Sequence, residues 1–137
     1  ALAGSCFGPG GTVSPLRDAQ KGNVYQAVHR WNLTEPEEIV APRVVSAAEA
    51  LDAAAAEGLA VILGEAAGPL ATEIANRGGR LVMAPPHLIM PRAGSVAFLA
   101  HIRLASGQAD DPGTLEPFYV RRSEAEELWE KRRMSCR

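Results

Sequence analysis

Two strand-like runs, Thr12 to Asp18 and Asn23 to Trp31, open the readable part of the chain. Between them, Gln20-Lys21-Gly22-Asn23 supplies the glycine that a hairpin turn wants, so the two runs predict a long antiparallel hairpin. A third run, Ile39 to Val45, follows the polar Thr34-Glu35-Pro36-Glu37 turn. Pro42 lies inside it and cannot donate to a ladder, which predicts an edge strand or a bulge. At Ser46 the pattern turns helical. Ser46 and Glu49 have capping-box spacing, and the alanine-rich stretch behind them stops at Gly58.

Leu59 to Leu63 is continuously apolar, as a parallel strand covered on both faces requires. Pro69 suits the first turn of a second, short helix ending near Gly78, with Leu70 and Ile74 on one face. Arg80 to Ala84 is the next strand. After Pro85-Pro86, Pro91 opens a longer helix in which Val96, Leu99, Ala100 and Leu104 predict a core-facing stripe and Gly107 the stop. The Asp110-Asp111-Pro112-Gly113 turn leads to an extended Glu116 to Arg121 segment. Ser123 and Glu126 repeat the capping box before a last helix whose acids lie first and bases last, with Ala125, Leu128 and Trp129 in one apolar arc.

Three antiparallel strands followed by right-handed crossovers predict an α/β fold of the ribonuclease-H-like, actin-like class: a mixed five-stranded sheet ordered 3-2-1-4-5 with flanking helices. Residues 1–11, rich in glycine, are read as a flexible lead-in, and residues 12–137 as one actin-like domain.

The 137 residues are 47% hydrophobic and 22% charged with a formal net charge of -2. These values fit an ordinary globular domain and lack the basic excess that draws a chain onto phosphate backbones, so contact with tRNA is expected only indirectly. Cys6 and Cys136 stand alone, without C-x-x-C or a histidine cluster, which points to the cytosol rather than to a disulfide or zinc framework. No apolar run has a membrane-spanning length.

Candidate chemistry is sparse. Asp18, at a strand end beside a turn, suits either a magnesium or nucleotide-water ligand or a cap on the turn's backbone N–H groups. Gly64 and Gly68, with the helix start at Pro69, suit either an anion or adenosine site or a tight strand-to-helix connection. No P-loop and no G-x-S-x-G elbow occurs, and His29, His87 and His101 have no metal-binding spacing. They read as surface or hydrogen-bonded histidines. Tyr25, Trp31, Phe118, Tyr119 and Trp129 read first as core anchors.

Asp18-Ala19-Gln20-Lys21-Gly22-Asn23-Val24-Tyr25 and Leu115-Glu116-Pro117-Phe118-Tyr119-Val120-Arg121 resemble the TsaB, or YeaZ, family, whose second actin-like domain opens on a D-A-R-x-G-x-V-Y hairpin. Gln20 stands where that pattern has Arg. The resemblance runs from about Thr12 to about Arg132 and implies the carboxy-terminal actin-like domain alone, the amino-terminal one being absent. It further implies a non-catalytic partner of TsaD and TsaE in making threonylcarbamoyladenosine in tRNA, with ATP or ADP and magnesium held in the partner complex. The wider family's glycoprotease label finds no nucleophile here. The rival reading is a fragment of an actin-like small-molecule kinase or nucleotide hydrolase. A domain parted from its twin exposes apolar surface, so self-association as a homodimer is expected, with Leu88, Ile89 and Met90 as the patch or, equally, as a plug for the core.

Overall fold

The computed structural model describes Ala3, residues 11–32, residues 35–120, Trp129 and Arg132–Met134. The glycine-rich lead-in, apart from Ala3 and Gly11, and the Ser123/Glu126 capping box with Ala125 and Leu128 lie outside the described residues.

Strands β1 (Thr12–Asp18), β2 (Asn23–Trp31), β3 (Pro36–Ser46), β4 (Ala60–Leu63) and β5 (Leu81–Met83) form one sheet ordered β3-β2-β1-β4-β5. The first three pair antiparallel, while β4 runs parallel to both β1 and β5. This is the ribonuclease-H-like, actin-like arrangement that the order of elements predicts. Pro42 sits on the edge strand, in the irregular stretch between Val40 and Arg43, where a missing N–H is tolerated. Two register shifts opposite Gln26, Val28 and His29 each insert an extra residue on the β3 side, so β3 is both edge and doubly bulged.

The hairpin turn is tighter than its glycine suggests. Gln20, Lys21 and Gly22 all take positive φ, at 66°, 56° and 78°, and only the last does so without a Cβ penalty. The Asn23 N–H closes the turn on the Gln20 carbonyl at 3.0 Å, and the Ala19 N–H reaches the Asn23 carbonyl at 3.0 Å.

Helix α1 (Ala47–Ala56) starts on the Ser46 hydroxyl, which accepts from the Glu49 N–H at 3.3 Å, and its chain leaves through Gly58 at φ 91°. The capping box is half made, because the Glu49 carboxylate stands 3.6 Å from Arg43. Helix α2 (Ala71–Ala75) is shorter than expected. Pro69 lies in the turns before it, Leu70 is its cap, and no side chain caps it. Arg77 ties the two helices together, donating to Asp52 at 2.9 Å and to the Ala48 and Glu73 carbonyls.

Alternation along β1 and β4 divides the core between the sheet's two faces. One face, carrying Leu16, Val24, Ala60, Ile62 and Leu81, is covered by Leu51 and Ala54 of α1 and Ile74 of α2, all buried. The other carries Val13, Trp31 and Leu63, with Ala84, and is thinly covered by Ala3, Leu88 and Leu99. On the first side a buried amide joins four segments. The Gln26 Nε2 donates to the Ser14 hydroxyl at 3.2 Å and to the Ala50 carbonyl, while its Oε1 accepts from Arg43 at 3.1 Å.

Helix α3 (Ala93–Ala105) departs from expectation. Arg92, not Pro91, is its cap, and Ser95 is its one buried residue. Val96 is 50% and Leu104 63% exposed, and Ala100 is exposed as well; within the predicted stripe only Leu99 reaches the second core. The stripe exists, but the second sheet face is too narrow to cover it. The carboxy-terminal aromatics are not core anchors either: Phe118, Tyr119 and Trp129 are all mostly exposed. The Trp129 ring is covered instead by the Arg133 guanidinium, 4.6 Å from its centroid. No strand forms at 116–120. In the Pro85 to Pro91 loop a short 3-10 turn (Pro86–Leu88) plugs Leu88 against the second core, while Met90 remains exposed.

Gln26→Met keeps the volume but strands the Ala50 carbonyl and the Arg43 guanidinium, and is expected to cost about 1–3 kcal/mol. In the same urea titrations, Leu104→Lys should shift stability by no more than about 0.5 kcal/mol, as an exposed position does. A large loss in Leu104→Lys would return α3 to the core.

Candidate functional site

The carboxy-terminal ends of β1 and β4 lie side by side, since the parallel register pairs Pro15 with Leu63 and so carries Leu16 to Gly64. This brings Asp18 and Gly64, two of the three candidate residues, to one rim of the sheet. Gly64 has φ 105°, and a Cβ built on it would stand 2.0 Å from the Leu16 carbonyl oxygen. Only glycine fits so close a backbone approach. Gly68 has no such constraint: it is exposed, and a Cβ there meets nothing within 4 Å. Its carbonyl accepts the Ala71 N–H at 3.1 Å, one of a chain of turns between Gly64 and α2.

Asp18 uses its carboxylate locally. Its Oδ1 accepts the Gln20 N–H at 2.8 Å, holding the first left-handed residue of the hairpin turn in place. The second carboxylate at this rim is Glu65, which sequence reasoning passed over. The Arg17 guanidinium donates to it at 3.0 Å across the β1–β4 junction. Burial alone would raise the Glu65 pKa. Its own backbone N–H, the Arg17 contact and charge, and the Asp18 backbone N–H more than offset that, and hold the carboxyl below its ordinary 4.5.

The arrangement has a chemical consequence. Backbone N–H groups at a strand-to-turn junction are where an external anion would dock, but here two of them face the chain's own Glu65 carboxylate. The five residues of α2 add little dipole. Magnesium fits poorly too: it demands several oxygen ligands in octahedral geometry, whereas Asp18 is bound to the turn and Glu65 to Arg17. Among the described residues no group of three or more His, Cys, Asp or Glu side chains could hold a metal ion, and no helix is long and apolar enough to cross a membrane.

His29 departs from its reading as an ordinary histidine. It lies on β2 at the opposite end of the sheet, and its Nδ1 is shut off from solvent with no hydrogen-bond partner among the described residues. Burial lowers its pKa below the ordinary 6.5, opposed by the negative charge of Glu38 directly across the ladder. The signal available in the sequence was its position. Two residues from Trp31 and four from Tyr25, it is the polar member of an apolar strand face.

No protein-family profile and no curated protein matches the chain. Among solved structures it is similar to an uncharacterised protein from Pseudomonas aeruginosa described as having similarity to peptidase YeaZ. The TM-score is 0.63 and the identity 21%, over 82% of this chain. The likeness is one of fold, and the chain spans 50% of the length of that structure.

Two outcomes test the rim. Gly64→Ala forces a Cβ onto the Leu16 carbonyl and should cost about 3 kcal/mol or more, whereas Gly68→Ala should change stability by less than about 0.5 kcal/mol. Equal effects in thermal or urea unfolding would refute the close approach. For Glu65, a depressed folded-state pKa means stability present at neutral pH and lost as pH falls through it. The gap between wild type and Glu65→Gln, at most about 0.5 kcal/mol for so exposed a pair, should therefore be present at pH 7 and vanish well below pH 4.5. A gap that grows on acidification contradicts the assigned direction.

Proposed function

We propose that this chain is the carboxy-terminal, actin-like half of a TsaB-type protein, a non-catalytic subunit that supports TsaD in forming threonylcarbamoyladenosine in tRNA. The observation that carries the reading is the β1–β2 hairpin. Its Asp18 to Tyr25 segment resembles the opening of the TsaB second domain, and it sits in a 3-2-1-4-5 sheet whose fold is similar to that of a protein described as like YeaZ.

The geometry of the rim supports a non-catalytic role. Asp18 caps a turn, Gly64 lets two backbones meet, and Glu65 is neutralised by Arg17, so each polar group has a structural employment. In this reading ATP or ADP with magnesium belongs to the TsaD and TsaE side of the assembly, and tRNA reaches it through those partners. A chain of net charge -2 brings little of its own attraction for phosphate.

The test is complementation of a TsaB-depleted bacterium by a full-length protein carrying Asp18→Asn. The amide keeps the acceptor oxygen that the turn needs and removes the charge that a metal would need, so modified tRNA should persist at no less than about half the wild-type level. Loss of the modification at normal protein abundance would overturn the non-catalytic assignment. Turnover of ATP with magnesium by the purified protein alone would favour instead the actin-like kinase or hydrolase reading.

A further inference from the structure

The second face of the sheet is weakly closed. Its buried members Val13, Trp31 and Leu63 are covered by Ala3, Leu88 and Leu99, and α3 meets this core through Leu99. A groove of about 630 Å³ runs between α3 and the β2–β3 ladder. An element held by so few buried apolar contacts opens locally at small cost in free energy. His29 stands at this seam. It is half-buried on β2, between its cross-strand neighbours Val13 on β1 and Glu38 on β3, and shares its strand face with Trp31 two residues on. The Trp31 indole N–H donates to the Ala3 carbonyl at 2.9 Å. The Nδ1 of His29 is shut off from solvent and has no hydrogen-bond partner among the described residues.

The two protonation states of the ring meet these surroundings differently. A neutral imidazole can keep its proton on Nε2 and leave Nδ1 as a bare acceptor. The imidazolium carries an N–H on both nitrogens, and at Nδ1 that donor finds no acceptor. A buried charged donor without a partner costs more than a buried neutral acceptor. Burial is the largest influence on the ring and disfavours the cation. Glu38 favours the cation from across the ladder, and the amino group of the chain opposes it. The other charged groups at the groove are Glu35, Asp110 and, on α3, Arg103. Arg17, farther along the same face, pairs with Glu65. The closed face therefore accepts the neutral ring and resists the charged one.

We propose that His29 is an acid-operated latch on this face: when its ring takes up a proton, α3 lifts from the sheet and water reaches Nδ1, while the face under α1 and α2 stays closed. Once opened, the ring is hydrated and titrates near the ordinary 6.5; closed, it titrates lower. The closed form is therefore fully favoured above 6.5 and loses stability as pH falls through 6.5 toward the closed-state value. Over that window the opening constant rises by up to about tenfold per pH unit. The latch is independent of the TsaB-type reading, since it shares no residue with the β1–β4 rim and needs no partner protein.

Amide hydrogen exchange on the 137-residue chain reads the opening constant as protection factors, corrected for the intrinsic pH dependence of exchange. For the amides of residues 99–103 in α3, protection should fall at least about threefold between about pH 7.5 and about pH 5.5. The amides of α2, on the other face, should keep theirs. His29→Gln and His29→Phe cannot titrate and should abolish the fall. Glu38→Gln, at an exposed position, removes the charge that favours the cation and should deepen it. The ring resonances of His29 in the unsubstituted protein give a reading that needs no variant to fold: their midpoint should lie below 6.5. A midpoint at or above 6.5 overturns the proposal whatever the variants do. So does α3 protection that is flat with pH, a fall of equal size in a natively folded His29 variant, or an equal fall in α2.

Discussion

The contact between the Leu16 carbonyl and the α-carbon of Gly64 is the constraint on which the arrangement of the sheet's working rim depends. β1 is the strand that both halves of the sheet share, antiparallel to β2 on one side and parallel to β4 on the other. A parallel pair has no turn of its own to fix its register, so the register must come from packing and from sites where only one residue fits. Gly64 is such a site. Because no side chain separates it from β1, the chain turns at the end of β4 directly against the hairpin, and Glu65 lands within reach of Arg17 and of the Asp18 backbone.

From that junction the two faces of the sheet diverge. The face under α1 and α2 has a closed core in which Leu16, Leu51 and Ile62 are fully buried, each contributing about 1.5–3 kcal/mol. The buried Gln26 amide adds specificity, because its hydrogen bonds are satisfied only when β1, β2, β3 and α1 stand in one arrangement. The opposite face has Trp31 and Leu63 as its large buried members and takes from α3 chiefly Leu99. A thirteen-residue helix, apolar nearly all round, is a pattern that ordinarily belongs inside a protein, yet here it shows most of itself to solvent.

The same contrast explains what the sequence could and could not disclose. β1 and β2 are legible to the residue because the turn between them is marked and both strands carry buried positions. The edge position of β3 follows from Pro42 alone. The role of α3 was not legible: periodicity reports that Val96, Leu99, Ala100 and Leu104 share a face, but says nothing of whether the chain has enough sheet to cover it. The left-handed Gln20 and Lys21 were hidden for a related reason. Glycine advertises positive φ, whereas a residue such as Gln20, whose N–H donates to the nearby Asp18 carboxylate, does not. At the rim, Asp18 and Gly64 were found from the glycine and the strand ends, but the Glu65–Arg17 pair needs the β1–β4 register, 48 positions apart in the chain, before it can be seen.

The two ends of the sheet therefore differ in chemical completeness. At the β1–β4 rim, donors and acceptors meet each other: N–H groups turn to Glu65, Glu65 to Arg17, Asp18 to its own turn. Groups so engaged gain little from a ligand, which must break those bonds before it can make its own. At the His29 end only the Nδ1 has lost hydration without a partner among the described residues, while Glu35, Glu38 and most of the aliphatic wall of α3 stay exposed. The hairpin that carries the sequence resemblance is thus held by its own internal bonds.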